Sequence, residues 1–366
     1  MGCASTTTSR DPLGTSSVLA LSRCQYGHES PAYREDLKVE VLQVRLTVGT
    51  FNLNNLFSRW NFRGEIKAIK EGETGVDATV TYSFTDPAIY RIRTYDGKLV
   101  KAKTEKDRQR IVERIKRIDL DVLAVQEVED IDTLRGFAQN ELAGMYRYQV
   151  LVEGNDPRFI DLGVLSKLPI GAITSWRYAV HADDPSKPVF GRDLLEVEIL
   201  NQSRKQKLFT VYNNHLKSHY VPWYEDPVEG AKKANARRSR QAETTASIVE
   251  ARMRPDSSFI VLGDMNDPPD SEQLVGLIRA PGLGLVDALT APKETRPPKH
   301  DDPPPGTAAW THRYKESGQP AQYELYDQIW LSPALAVKQQ EAWIDRRKRH
   351  TGDGSDHDPA WVVLEL

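Results

Sequence analysis

With 366 residues, 39% of them hydrophobic and 28% charged, the chain is long enough to bury a sizeable core in one or two domains. No apolar run approaches the roughly 18 residues of a membrane-spanning helix, which excludes a helical membrane protein. The 49 Lys and Arg against 52 Asp and Glu leave a formal net charge of -3. That balance excludes a polybasic binder and confines any nucleic-acid contact to a local patch.

Residues 1–40 are rich in Ser and Thr and poor in periodic apolar positions, and are predicted to form a disordered leader. Val18-Leu19-Ala20-Leu21 is too short for a secretory signal. Met1-Gly2-Cys3-Ala4-Ser5-Thr6 fits a myristoylation pattern, and Gly2-Cys3 also fits the cleavage end of a lipoprotein signal. The default expectation is therefore a cytoplasmic protein, the alternative an extracytoplasmic lipoprotein, with membrane contact only through N-terminal lipidation. Cys3 and Cys24 both precede the first strand, so the folded part holds neither a disulfide nor a cysteine metal site. Any metal must be bound by oxygen or imidazole.

The domain is expected over 41–366. Leu42-Gln43-Val44-Arg45-Leu46-Thr47-Val48 alternates as a strand and runs into Gly49-Thr50-Phe51-Asn52. Between about 63 and 103, the pieces Ala78–Tyr82 and Tyr90–Tyr95 with Asp96-Gly97 read as an inserted hairpin or lid. Thr104 and Asp107 form a capping signature for a helix whose Ile111, Val112, Ile115 and Ile118 share one face. Asp121–Val125 is apolar on both faces and reads as a buried strand. The same pattern recurs at Leu162–Leu165, Leu208–Tyr212, Phe259–Leu262, Ile329–Leu331 and Trp361–Leu366. Lys232, Lys233, Arg237, Arg238 and Arg240 crowd the start of a second helix, and the prolines between Pro297 and Pro305 mark a surface loop. Strands alternating with helices predict a layered α/β architecture.

Each buried strand ends in polar residues. Asn52 and Asn54 follow the first, Gln126-Glu127 the second, Asn214-His215-Leu216-Lys217 a third and Gly263-Asp264-Met265-Asn266 a fourth. Asp161 and Tyr326-Asp327 open strands, and Ser355-Asp356-His357-Asp358 precedes the last. Singly, such residues are turn formers or solvated caps. Seven such endings on seven strands point instead to one shared edge. Oxygen donors without thiolates suit a hard divalent cation, Mg²⁺ first and Mn²⁺ or Ca²⁺ next. Two histidines, His215 and His357, suit proton transfer and stabilisation of a pentacovalent phosphate.

In this ordered set, Thr50-Phe51-Asn52, Gln126-Glu127, Gly263-Asp264-Met265-Asn266, Tyr326-Asp327 and Ser355-Asp356-His357, the chain resembles the DNase I-like endonuclease/exonuclease/phosphatase superfamily from residue 45 to 366. The resemblance implies a four-layered α-β-β-α sandwich of two packed mixed sheets, with the site at one end. It implies Glu127 as principal metal ligand, Asn52 holding the metal or its water, and Asp356 at a secondary metal position. It implies Asp264 as the carboxylate that orients or deprotonates water, Asn266 on the phosphate, and His357 on the scissile phosphate, oriented by Asp327. His215 resembles a second histidine of the DNase I and sphingomyelinase-like members, with Asp161 where its acidic partner is expected. Arg192 resembles a phosphate-contacting arginine, and Asn214-His215-Leu216-Lys217-Ser218 with Arg238-Ser239-Arg240-Gln241-Ala242 is most similar to bacterial extracellular-nuclease-like members. There, Lys217 joins the phosphate contacts. Two departures stand out: Asn54 replaces a frequent Asp, and Phe159 replaces a frequent Gly or Tyr.

The expectation is a metal-dependent phosphodiesterase, a monomeric nuclease on DNA or RNA with no obligate protein partner. A lipid-head-group phosphodiesterase or phosphatase is the rival, kept open by Tyr220-Val221-Pro222-Trp223-Tyr224. An inactive scaffold on the same fold is a third reading.

Overall fold

A strand with apolar side chains on both faces has to be covered on both, and the chain solves this by stacking two sheets and flanking them with helices. The computed structural model describes residues 44–57, 62–72, 75–84, 103–254, 256–296, 309–315, 318–347 and 353–366, with backbone alone for 62–84. The expected leader 1–40, the Tyr90–Tyr95 piece with Asp96-Gly97, and the Pro297–Pro305 loop lie outside the described residues.

The first half of the chain supplies β1 (Arg45–Leu56), β2 (Phe62–Gly72), β3 (Gly75–Phe84), α1 (Glu105–Ile118), β4 (Val122–Val128), α2 (Ile131–Gly136), β5 (Tyr148–Val152), β6 (Asp161–Ser166) and β7 (Ile170–Ser175). Next come β8 (Leu194–Leu200), β9 (Lys207–His215), α3 (Pro227–Arg252), β10 (Phe259–Asp264), α4 (Val275–Ile278), β11 (Val286–Asp287) and β12 (Lys293–Glu294). The last are β13 (His312–Tyr314), β14 (Gln322–Glu324), β15 (Asp327–Leu331), α5 (Pro333–Ala336), β16 (Gln339–Ile344) and β17 (Ala360–Glu365).

One sheet has seven strands in the order β12-β16-β17-β1-β4-β6-β5, the other six in the order β11-β15-β10-β9-β8-β7. Both are mixed: β1 runs parallel to β4 and β10 parallel to β9, while the pairs flanking them are antiparallel. Three cores define four layers. Val48, Ala124, Leu162, Val197, Val211 and Ile260 meet between the sheets. Phe51, Leu123 and Leu134 pack with Ile111 and Ile115 of α1 on one outer face, and Tyr212 and Val261 with Ala242 and Val249 of α3 on the other. This is the α-β-β-α sandwich expected from the sequence.

Thr104 caps α1 by accepting the Asp107 N–H, as the spacing predicts. Two local details were not specified by the sequence. The strand containing Ala78–Tyr82 pairs antiparallel with β2, which precedes it. The second helix starts at Pro227, before Lys232, because Asp226 caps it by accepting the Val228 and Glu229 N–H groups, and proline fits the first turn. Within it Arg238 is fully buried rather than solvated, its Nε donating to Asp267 Oδ2 at 2.6 Å. No helix among the described residues is long and apolar enough to cross a membrane.

Candidate active site

The parallel pairs β1/β4 and β9/β10 lie on facing sheets and end at the same edge. A buried polar bridge fixes their alignment. Gln126 donates to Thr50 Oγ1 at 3.0 Å and across to Asn213 Oδ1 at 2.7 Å, and Asn213 donates to the Val125 and Gly163 carbonyls. The neighbouring Glu127 sits where the ladder of β4 breaks register against both neighbours, with a left-handed φ of 62°. A bulge of this kind re-aims a side chain, here into the cleft between the sheets. Asn266 carries a φ of 53° just past β10, and Gly263 one of 127° within it. A Cβ at Gly263 would lie 2.0 Å from the Asn214 carbonyl, so only glycine lets β9 and β10 approach this closely.

Asp264 is the centre of the cluster. Its Oδ2 accepts from Asn52 Nδ2 at 2.8 Å and faces His215 Nε2 at 3.5 Å and His357 Nε2 at 3.8 Å, while Oδ1 accepts the Asn266 N–H. Asn52 also donates to Glu127 Oε1 at 3.4 Å, and its own oxygen accepts the Asn54 N–H. Thus Asn52 presents nitrogen, not oxygen, to the carboxylates. Glu127 Oε2 accepts the Asn55 N–H at 3.0 Å. Asn54 donates to Asp356 Oδ1 at 2.7 Å, a contact that an Asp at this position would turn into repulsion.

The two histidines are pushed in opposite directions. His357 Nδ1 bonds to Asp327 Oδ2 at 2.6 Å, and although burial opposes the charge, Asp327 and Asp264 hold the imidazole pKa well above its ordinary value. His215 is pushed well below by burial, Arg192 and His357. Burial and then Asp356 and Asp264 raise Glu127, against the pull of His357. Asp264 is raised by burial and by Asp327, again opposed by His357.

Asp161 is buried, accepts the Gly154 N–H at 2.9 Å, and burial raises its carboxyl to about 7. Its Oδ2 and His215 Nδ1 both lack a hydrogen-bond partner among the described residues, so the expected Asp161–His215 bond is not made. Arg192, Lys217 and Asn266, expected on the phosphate, lie near one another. Arg192, buried at 4% exposure, pairs with Asp156 at 3.2 Å and donates to the Leu216 carbonyl, to which Asn266 Nδ2 also donates. Lys217, lowered to about 8 by burial and by Arg192 and Arg238, shares a cavity of about 300 Å³ with Arg158 and Arg192.

The family model described as "Endonuclease/Exonuclease/phosphatase family" matches residues 49–357. The chain belongs to the endonuclease/exonuclease/phosphatase family. Members of this family are hydrolases of phosphoester bonds. Its fold is shared with an endonuclease/exonuclease/phosphatase from Bacteroides vulgatus, at 14% identity and a TM-score of 0.53, covering 88% of this chain and 99% of that one. It is also shared with an AP endonuclease from Archaeoglobus fulgidus, at 16% identity and a TM-score of 0.50, over 72% of this chain and 96% of that one. A mannosyl-6-phosphatase from Bacteroides thetaiotaomicron aligns at 15% identity and a TM-score of 0.50, over 87% and 99%. No curated protein matches the chain.

Against the family pattern, sequence reasoning missed Arg158 and His312. Arg158 follows Asp156-Pro157 and looks like a turn residue, yet it lines the phosphate-side cavity. His312 lies on the short β13, its ring stacked on Tyr326 at 5.0 Å and tilted against His357 at 4.8 Å. Donor atoms of His312, Asp356 and His357 lie within 4.8 Å of one another. No local pattern around His312 announces it, because its partners arrive from β15 and from the turn before β17.

Proposed function

We propose that the protein is a metal-dependent phosphodiesterase acting as a nuclease on DNA or RNA, with 41–366 as its catalytic domain and residues of the bacterial extracellular-nuclease type. The observation that carries this reading is the convergence of Asn52, His215 and His357 nitrogens on one buried oxygen, Asp264 Oδ2, beside a cation-lined cavity. A carboxylate in that setting accepts a proton from an attacking water. His357, its pKa raised by Asp327, donates a hydrogen bond to a phosphate oxygen, and His215 helps to hold the growing charge there. Two titratable groups pushed in opposite directions in one site is the usual arrangement for acid and base work. Arg192, Lys217 and Asn266 stabilise the added charge of the pentacovalent phosphate.

The donor set fits a divalent cation. Glu127 and Asp356 offer hard oxygens, and Glu127 is raised first by burial and then by the neighbouring Asp356 and Asp264 carboxylates, whose charge a cation would offset. Glu127 and Asp356 would hold the ion, with Asn52 orienting Glu127. When bound, Mg²⁺ supplies neutralisation of these carboxylates and polarisation of a phosphoryl oxygen. Plasmid DNA, single-stranded RNA and sphingomyelin, assayed side by side with Mg²⁺, Mn²⁺ and EDTA, test the proposal. Nucleic-acid cleavage abolished by EDTA is expected. Sphingomyelin hydrolysis without cleavage of either nucleic acid would decide for the lipid reading.

A further inference from the structure

Two cavities adjoin the phosphate side and share one residue. The first, of about 300 Å³, is lined by Arg158, Arg192 and Lys217; the second, of about 460 Å³, by Lys187, Lys233 and Arg240; Arg237 lines both. Against these seven cations stand two acids in the same walls, Asp156 and Asp184. Lys233, Arg237 and Arg240 recur at helical spacing on α3, so one helix face carries the positive charge away from the catalytic cluster. A single scissile phosphate has no use for that length of charge.

An exposed aromatic loop borders the same path. Tyr220 and Pro222 line the first cavity. Tyr220 is 65% exposed, Trp223 91% and Tyr224 71%, and the last two rings stand perpendicular at 5.7 Å. Rings left in water at this exposure contribute little to the fold. A cationic groove bordered by open aromatic faces is the arrangement that holds unpaired bases and their backbone together. A duplex hides its base faces, and three carboxylates directly after the rings, Glu225, Asp226 and Glu229, repel an anionic membrane surface.

Building on the phosphodiesterase reading, we infer that the substrate is a single strand of several nucleotides. Its phosphates follow α3 away from the catalytic cluster, and its bases stack on Tyr220, Trp223 and Tyr224.

The test uses full-length chain with Mg²⁺ and labelled oligothymidylates from 2 to about 16 nucleotides, with Asp264→Asn as background for binding measurements. Affinity is expected to rise with length until the groove is filled. Lys233→Glu with Arg240→Glu should flatten the salt dependence, by about 0.7 in log–log slope for each phosphate that the groove no longer neutralises. Trp223→Ala with Tyr224→Ala should weaken binding roughly ten-fold or more, and their exposure makes misfolding no explanation. A length-independent affinity, or a salt slope and affinity unchanged in both variants, overturns the inference. So does tighter binding to a duplex, or a Trp223-dependent sedimentation with phosphatidylglycerol vesicles. Hydrolysis of bis-p-nitrophenyl phosphate separates the two failures. If the small diester is cleaved and the strand ignores the groove, this inference alone falls, whereas no cleavage of either removes the reading beneath it.

Discussion

One carboxylate oxygen facing two imidazoles whose pKa values are pushed in opposite directions concentrates the chemistry on very few atoms. His357→Ala is accordingly expected to lower kcat about 10²- to 10⁴-fold while KM changes little, since the charge it meets develops only in the transition state. Steady-state cleavage of a generic phosphodiester checks this, and near-wild-type turnover would remove His357 from the mechanism. Asp161 gives a pH signature. Its folded carboxyl titrates near 7 against an ordinary 3.8, so between those values the native state holds a proton that the unfolded state has released. Stability therefore falls as pH rises from about 4 to about 7, by up to about 4 kcal/mol. Asp161→Asn should flatten that fall and melt higher than the wild type at pH 8. Melts at pH 5 and pH 8 decide it, and an unchanged pH dependence would show that Asp161 is not the group responsible. Among single residues, those at the ends of buried strands were legible because chemistry gathers where a strand stops. Arg158 and His312 were not, since each acquires its meaning only from neighbours distant in sequence.

At the scale of elements, the site depends on strands that end abruptly. β4 breaks register at Glu127, β10 carries Gly263 where a side chain would strike β9, and Gln126 ties the two sheets just beneath. Gly263→Ala combines a clash with a φ that suits only glycine, and is expected to cost on the order of 3 kcal/mol or more. Denaturant midpoints measure it, and a loss below about 1 kcal/mol would mean that β9 and β10 separate easily. The strands apolar on both faces, β4, β6, β9, β10, β15 and β17, were readable because burial between two layers leaves an unbroken hydrophobic run. β5, β7 and β16 lie at or next to sheet edges with half-exposed faces, which dilutes the pattern. In β8 the run is interrupted by Glu196, a buried carboxylate answered by Arg252 from α3 at 2.9 Å. Arg238 hid among surface cations for the same reason: its partner Asp267 lies beyond β10.

The whole molecule carries a net charge of -3, yet its two signs are sorted. Carboxylates crowd the catalytic edge and cations line the path beside it. The crowding makes the fold itself sensitive to divalent ions. At a hundred-fold excess of Mg²⁺ over its Kd, the native state should gain about 2.7 kcal/mol, a rise in Tm of several degrees for a chain of this size. Calorimetry in Mg²⁺ and in EDTA reads this without any turnover, and identical melting in both would argue against a resident cation. The layered architecture was legible from strand and helix alternation, whereas the pairing of the inserted hairpin was not, because several short β-like segments competed for one partner.

The order of the seven-stranded sheet has a consequence for the birth of the protein. β17 lies between β16 and β1, and the turn that leads into it brings Asp356 and His357 to the site, with Ser355 Oγ bonded to the Asn52 carbonyl 303 residues earlier. At roughly 5–20 residues per second, tens of seconds of translation separate Asn52 from the histidine it works beside. Throughout that interval the sheet has nothing beside β1 on its β17 side, and the site lacks Asp356 and His357. A ribosome making this protein therefore carries a polypeptide whose candidate active site is incomplete until the last strand has slotted home.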